Sequence, residues 1–189
     1  EHSLAAIDAA LTPGDVACLL VEPILSDGGL VVPPDGFLRE VAARCASAGT
    51  LLICDEVKVG LGRPGTLHAF EHDGVRPDLV TFGKSLGAGV PISAAVGPAW
   101  VLDHPAGSAL LTTAGNPFST AVGRAVLRVI CAEGLPERAE RMGTRLRDGL
   151  GQATTGWEVV GDIRGRGLAI GVDLVTDRAS RGRDPGFAA

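Results

Sequence analysis

Apolar and polar positions follow two rhythms along this chain. Mainly apolar runs stand at 16–24 (VACLLVEPI, unbroken until Glu22), 50–54 (TLLIC) and 78–82 (DLVTF), and stretches with helical spacing lie between them. Runs of that length suit strands buried on both faces, as in a parallel sheet. Residues 3–11 read as a helix stopped by Pro13-Gly14. Pro34-Asp35 opens a second helix over 36–48, with Phe37, Leu38, Val41 and Ala42 facing inward and Gly49 closing it. A short helix over 67–72 and a further strand at 92–96 continue an alternation that predicts an α/β fold with a mostly parallel sheet and flanking helices. From Pro117 the texture changes to two long helices, 117 to about 131 and 135–153, and then to two strands, WEVVGDIRGRG and LAIGVDLV. The expected division is a larger domain over 1–131 and part of a smaller α+β carboxy-terminal domain over 132–189.

In parallel α/β sheets, ligands bind outside the carboxyl ends of the strands. Glu22, Asp55 and Lys84 all fall at or near such ends, so one edge gathers three functional groups. The basic residues sharpen this. Only Lys58 and Lys84 are lysine, and the other 15 are arginine. Guanidinium stays protonated and cannot form a Schiff base, so a primary amine kept at Lys84, just past a buried strand, points to amine chemistry. A carboxylate and a Schiff-base lysine at one sheet edge are what pyridoxal 5'-phosphate needs: the amine holds the aldehyde, and the acid keeps the pyridine nitrogen protonated.

Several other classes lose ground. A net charge of −5 with both signs interspersed argues against a nucleic-acid or anionic-membrane surface. No apolar run approaches the ~20 residues that span a bilayer. Cys18, Cys45, Cys54 and Cys131 sit in apolar segments without a CxxC pair, which reads as buried free thiols and a cytoplasmic location. Gly60-Leu61-Gly62-Arg63-Pro64-Gly65 spells GxGxxG, but Pro64 leaves no long helix for a dinucleotide to sit on. Gly83-Lys84-Ser85 resembles the end of a phosphate loop whose first glycine would be Asp78, an acid that repels phosphate. His68 and His72 share a helix face with only Glu71 beside them, a solvated face more than a metal site.

The motifs EPILSDGGLVVPPDGFL, LLICDEVKVGLGRPGTLHAFEHDGVRPDLVTFGKSLGAGVPISAAV, TTAGNP and DIRGRGLAIGVDL resemble, in order, the signatures of the class III aminotransferases. The resemblance covers nearly all 189 residues. It implies a pyridoxal-phosphate-dependent enzyme of fold type I, usually a homodimer with shared active sites, acting on an amino-acid, amine or keto-acid substrate. By the same resemblance Lys84 is the Schiff-base lysine, Asp55 pairs with the pyridine nitrogen and Val57 packs on the ring. Thr112 reaches the cofactor phosphate of the partner subunit, and Arg164 binds a substrate carboxylate with Asp27 as the acid opposite it.

Two features depart from the family pattern. Lys58 stands beside the cofactor's phenolic oxygen, where the family commonly has Gln. The family's chain is also much longer, and its amino-terminal half supplies a phosphate-gripping loop and a ring-stacking aromatic. The chain opens inside a helix-like EHSLAAIDAAL without an initiator Met, so an internal fragment of a longer protein is expected. The SDGGL and DEVKVGL wording is similar to the α-amino-ε-caprolactam and amino-acid amide racemase branch. A transaminase and a racemase share removal of the α-proton by Lys84, and a racemase needs a second acid or base, for which Asp27 is the candidate. The default expectation is transamination, followed by racemisation and then by a non-catalytic truncated fragment.

Overall fold

The computed structural model describes residues 2–103 and 111–182. Its main sheet has the order β1-β2-β3-β4, formed by β1 (Cys18–Val21), β2 (Leu51–Asp55), β3 (Leu79–Phe82) and β4 (Ala94–Val96). The first three strands are parallel, and β4 returns antiparallel to β3. Helix α1 (His2–Leu11) precedes β1, and α2 (Phe37–Ala48) is the crossover from β1 to β2. α2 buries Leu38, Val41 and Cys45 against Leu52, Cys54 and Val75. Its first turn has no cap of its own, because Gly36 in the left-handed region lacks a side chain. Asp73, at the end of the 3-10 turn Ala69–Asp73, supplies the cap: Gly36 N and Leu38 N donate to its carboxylate at 2.9 and 2.8 Å.

The run at 16–24 differs from its expected burial on both faces. It forms only the four-residue β1, with Leu20 62% exposed. Among the described residues β1 has β2 as its one neighbour, and Pro23 has no N–H to continue the ladder. The cysteines also divide: Cys45 and Cys54 are buried, whereas Cys18 and Cys131 are exposed, and all four are free.

After α3 (Ala99–Leu102) come α4 (Pro117–Ala132) and α5 (Leu135–Ala153). α4 starts with Asn116 accepting from Ser119 N and Pro117 in the first helical position. Its Ile130 packs with Leu61 and Leu86 and so supports the turn that carries Lys84. The hairpin of β5 (Val160–Arg166) and β6 (Ala169–Leu174) is a separate two-stranded sheet. α5 lies directly on the hairpin turn, since a Cβ at Gly143 would meet Gly167 O at 1.8 Å. Among the described residues, no helix is long and apolar enough to cross a membrane.

Candidate active site

β2 ends in Asp55, and β3 is followed by Gly83 and by Lys84, the first residue of the 3-10 turn Lys84–Gly87. Asp55 is in register with Thr81 on the neighbouring parallel strand, and such strands lie about 4.8 Å apart. Carboxylate and amine therefore leave the sheet at one edge. Asp55 Oδ1 accepts from Val57 N at 2.9 Å, a local turn that folds the chain away from the strand. That turn lays Val57 over Gly83, where a Cβ would meet Val57 Cγ1 at 3.2 Å. Lys84 has φ 42, a left-handed backbone that a lysine adopts only when its surroundings impose it. Leu86 imposes it from both ends: its N–H donates to Gly83 O at 2.9 Å, and its side chain is sunk between Leu61 and Ile130.

Lys84 opens onto a cleft of about 380 Å³ that it shares with Lys58, Arg63, Ser26, Leu30 and residues 168–170. Lys58 Nζ donates to Asp27 Oδ1 in a close, solvent-facing ion pair. The hydrogen bond from Lys58, and then its charge, hold the Asp27 carboxyl below the ordinary aspartate range, with a smaller contribution from Lys84. Asp55 borders a second cleft, of about 560 Å³, with Glu22, Leu20, Leu25, Val31 and Phe37. The narrow hairpin 25–31 separates the two, closed by mutual backbone bonds between Leu25 and Val31 at 3.0 and 2.8 Å. Glu22 is committed to this hairpin, accepting from Ser26 N at 3.1 Å and from Ser26 Oγ at 2.7 Å.

Arg164 departs from its expected partner. Its Nη1 lies 3.2 Å from Asp162 and 3.8 Å from Asp173, and its Nε donates to Leu30 O at 3.0 Å. Asp27 is held by Lys58 instead. Thr112 is exposed in the turn before α4, and no hydrogen bond among the described residues joins it to Asp55 or Lys84. The glycines of GLGRPG serve packing, because a Cβ at Gly65 would meet the Glu140 carboxylate and one at Gly62 would press on Pro136. His68 and His72 turn to different partners, Glu71 at 2.9 Å and Pro64 O at 2.9 Å.

Sequence reasoning overlooked Glu56. It is 1% exposed and accepts from Ala69 N at 3.0 Å and Phe70 N at 3.1 Å. Burial pushes its carboxyl up to about 7, against the pull of those two amides. The signal was available in strand alternation: if Asp55 faces the edge, its neighbour faces the opposite side.

Residues 1–186 match the family described as Aminotransferase class-III. The chain is 43% identical over 185 residues to a leucine/methionine racemase of Thermococcus litoralis, covering 97% of this chain and 42% of that protein. It is 42% identical to an acetylornithine aminotransferase of Mycobacterium bovis, covering 95% of this chain and 46% of the relative. Its fold overlays an ornithine aminotransferase of Toxoplasma gondii with a TM-score of 0.88 and 43% identity, over 90% of this chain and 41% of the other; that crystal held partially occupied PLP. The chain thus spans less than half the length of these relatives. Matched along nearly all of its own length, the chain belongs to the class-III aminotransferase family.

Proposed function

We propose that this chain forms part of a pyridoxal-phosphate-dependent enzyme that moves amino groups, with Lys84 and Asp55 as its chemical centre. The observation that carries the reading is the register of Asp55 with Thr81, which brings the carboxylate and the strained Lys84 to one sheet edge. The residues fit the cofactor in three respects. Asp55 uses one carboxylate oxygen on Val57 N, leaving the other for a pyridinium N–H. The close approach of Val57 to Gly83 makes an apolar wall beside the lysine. Thr81 Oγ1, beside Asp55 in the register, is a buried hydroxyl without a hydrogen-bond partner among the described residues.

When bound, pyridoxal phosphate supplies an electron sink for the carbanion at the substrate's α-carbon. Lys84 Nζ is the attachment point and the general base that takes the α-proton. Asp55 holds a proton at the ring nitrogen, Val57 orients the ring, and Lys58 places positive charge near the cleft. Thr112 would act on the phosphate across a homodimer interface, so its exposure within one chain accords with that role. Residues 1–131 form part of the cofactor-binding domain, and residues 132–189 part of the small domain.

Transamination is the first reading, as in the acetylornithine and 5-aminovalerate aminotransferases to which the chain is similar. Racemisation is the second, favoured by one observation. Asp27, kept ionised by Lys58, which lines the cleft into which Lys84 opens, is the candidate second base. An amino donor alone, given to the full-length protein loaded with pyridoxal phosphate, separates them. A transaminase yields one keto acid per site with stoichiometric pyridoxamine phosphate. A racemase leaves the cofactor unchanged and inverts the donor.

A further inference from the structure

Glu56 stands between the two residues assigned to the cofactor ring and takes no part in the chemistry above. Its backbone is woven into the site: Glu56 N donates to Thr81 O at 3.0 Å, extending the β2–β3 ladder, and Gly60 N donates to Glu56 O at 3.0 Å, closing the turn after Asp55. Its carboxylate points the other way and grips Ala69 N and Phe70 N, the first two amides of the 3-10 turn. A Cβ at Gly60 would come within 2.8 Å of both Glu56 Cβ and Oε2, so the turn is built around this side chain. From the segment it holds, His68 stacks on Phe70 with ring centroids 4.9 Å apart, and His68 tilts onto Phe82 at 5.5 Å. Phe82 is the last residue of β3, two before Lys84. Among the described residues no cation forms an ion pair with the Glu56 carboxylate; its hydrogen-bond partners are two amides.

We propose that Glu56 is the positioning residue of this site, a buried carboxylate clasp that locks the Asp55–Val57 turn onto the Ala69–Phe70 backbone and so sets the angle at which Asp55 and Val57 meet the cofactor. The positioning role rests on the pyridoxal-phosphate reading, whereas the clasp itself does not. Such a clasp carries a proton-linked signature. If the segment peels away, Glu56 meets water and ionises as an ordinary carboxylate, near 4.5, whereas in the closed state it does so only at about 7. Opening therefore becomes easier as pH rises between those values and levels off above the upper one. The titratable groups facing it are Cys54 on β2 and His68 and Glu71 on the clasped segment.

The test is amide hydrogen exchange on the full-length protein without added cofactor, corrected for intrinsic chemistry, joined to titration with pyridoxal phosphate. In wild type the opening constant read at Ala69 and Phe70 should rise at least about tenfold between pH 5.5 and 7.5, a little over one pH unit's worth of the linkage. Glu56→Gln sets an amide N–H against one of the two backbone donors. It should exchange faster at both residues with a flat pH profile, and hold pyridoxal phosphate about tenfold more weakly with a shifted pH midpoint of the bound cofactor's absorbance. Faster exchange with unaltered cofactor retention and midpoint would reduce Glu56 to a structural residue and overturn the proposal. Unchanged exchange would do the same. Should Glu56→Gln fail to fold, His68→Gln removes the imidazole that faces the carboxylate: the wild-type pH step must persist in it, and its loss overturns the clasp. A wild type that takes up no pyridoxal phosphate refutes the cofactor reading and the positioning role with it, while the exchange profile still decides the clasp.

Discussion

The two sides of the candidate site are built differently. Behind the ring-facing residues, Glu56, Val59 and Gly60 are buried and each polar contact is a short bond to backbone. On the substrate side, Lys58 meets Asp27 as an ion pair in solvent. Buried bonds leave a single geometry, because breaking one strands a desolvated group. Exposed pairs are screened and nearly neutral for stability. The difference teaches where change is tolerated: the lysine–carboxylate centre is rigidly framed, while the groups that distinguish one amino-group reaction from another sit where substitution costs the fold little.

Substitutions that break this contrast should do so unequally. The largest effect is expected from Lys84→Ala in the full-length enzyme, which removes both the attachment amine and the base. Turnover should fall by at least ~10³-fold, with the circular-dichroism spectrum unchanged. Next is Asp27→Asn. If the donor is racemised, its rate should fall at least ~10²-fold, the low end for losing a general base, while α-proton exchange through Lys84 partly survives. Melting temperature should not move, since the Asp27 carboxylate is exposed.

On the buried side the effect is on stability. Glu56 has a folded-state pKa raised above its unfolded one, so its neutral form favours the fold. Its contribution is full below about 4.5 and is lost as pH rises to about 7. That difference amounts to roughly 3 kcal/mol. Urea titrations from pH 5 to 7.5 should show the wild type losing most of it relative to Glu56→Gln. Asp73→Ala strips the cap from α2 and should cost about 2 kcal/mol in the same titrations.

Much of this was legible in the sequence. The apolar runs gave β2 and β3 to within a residue, helical spacing gave α2, α4 and α5, and two lysines among 17 basic residues drew attention to the edge where Asp55 and Lys84 stand. What escaped was set by neighbours distant in sequence. An apolar run does not say how far each of its faces is covered, so β1 read as buried on both faces and leaves Leu20 exposed. Arg164 was matched with Asp27 by family likeness, but Lys58 holds Asp27 and two hairpin aspartates hold Arg164. Glu56 was overlooked because its partners, two amides 13 and 14 residues onward, are set against its carboxylate only by the fold.

The central claim is that Lys84 is the amine of this site. Borohydride reduction of the full-length protein incubated with pyridoxal phosphate, followed by peptide mapping, tests it most directly. The account predicts one pyridoxyl group per chain on Lys84 and none on Lys58. A pyridoxyl group on Lys58, or labelling spread over both lysines without preference, would contradict it.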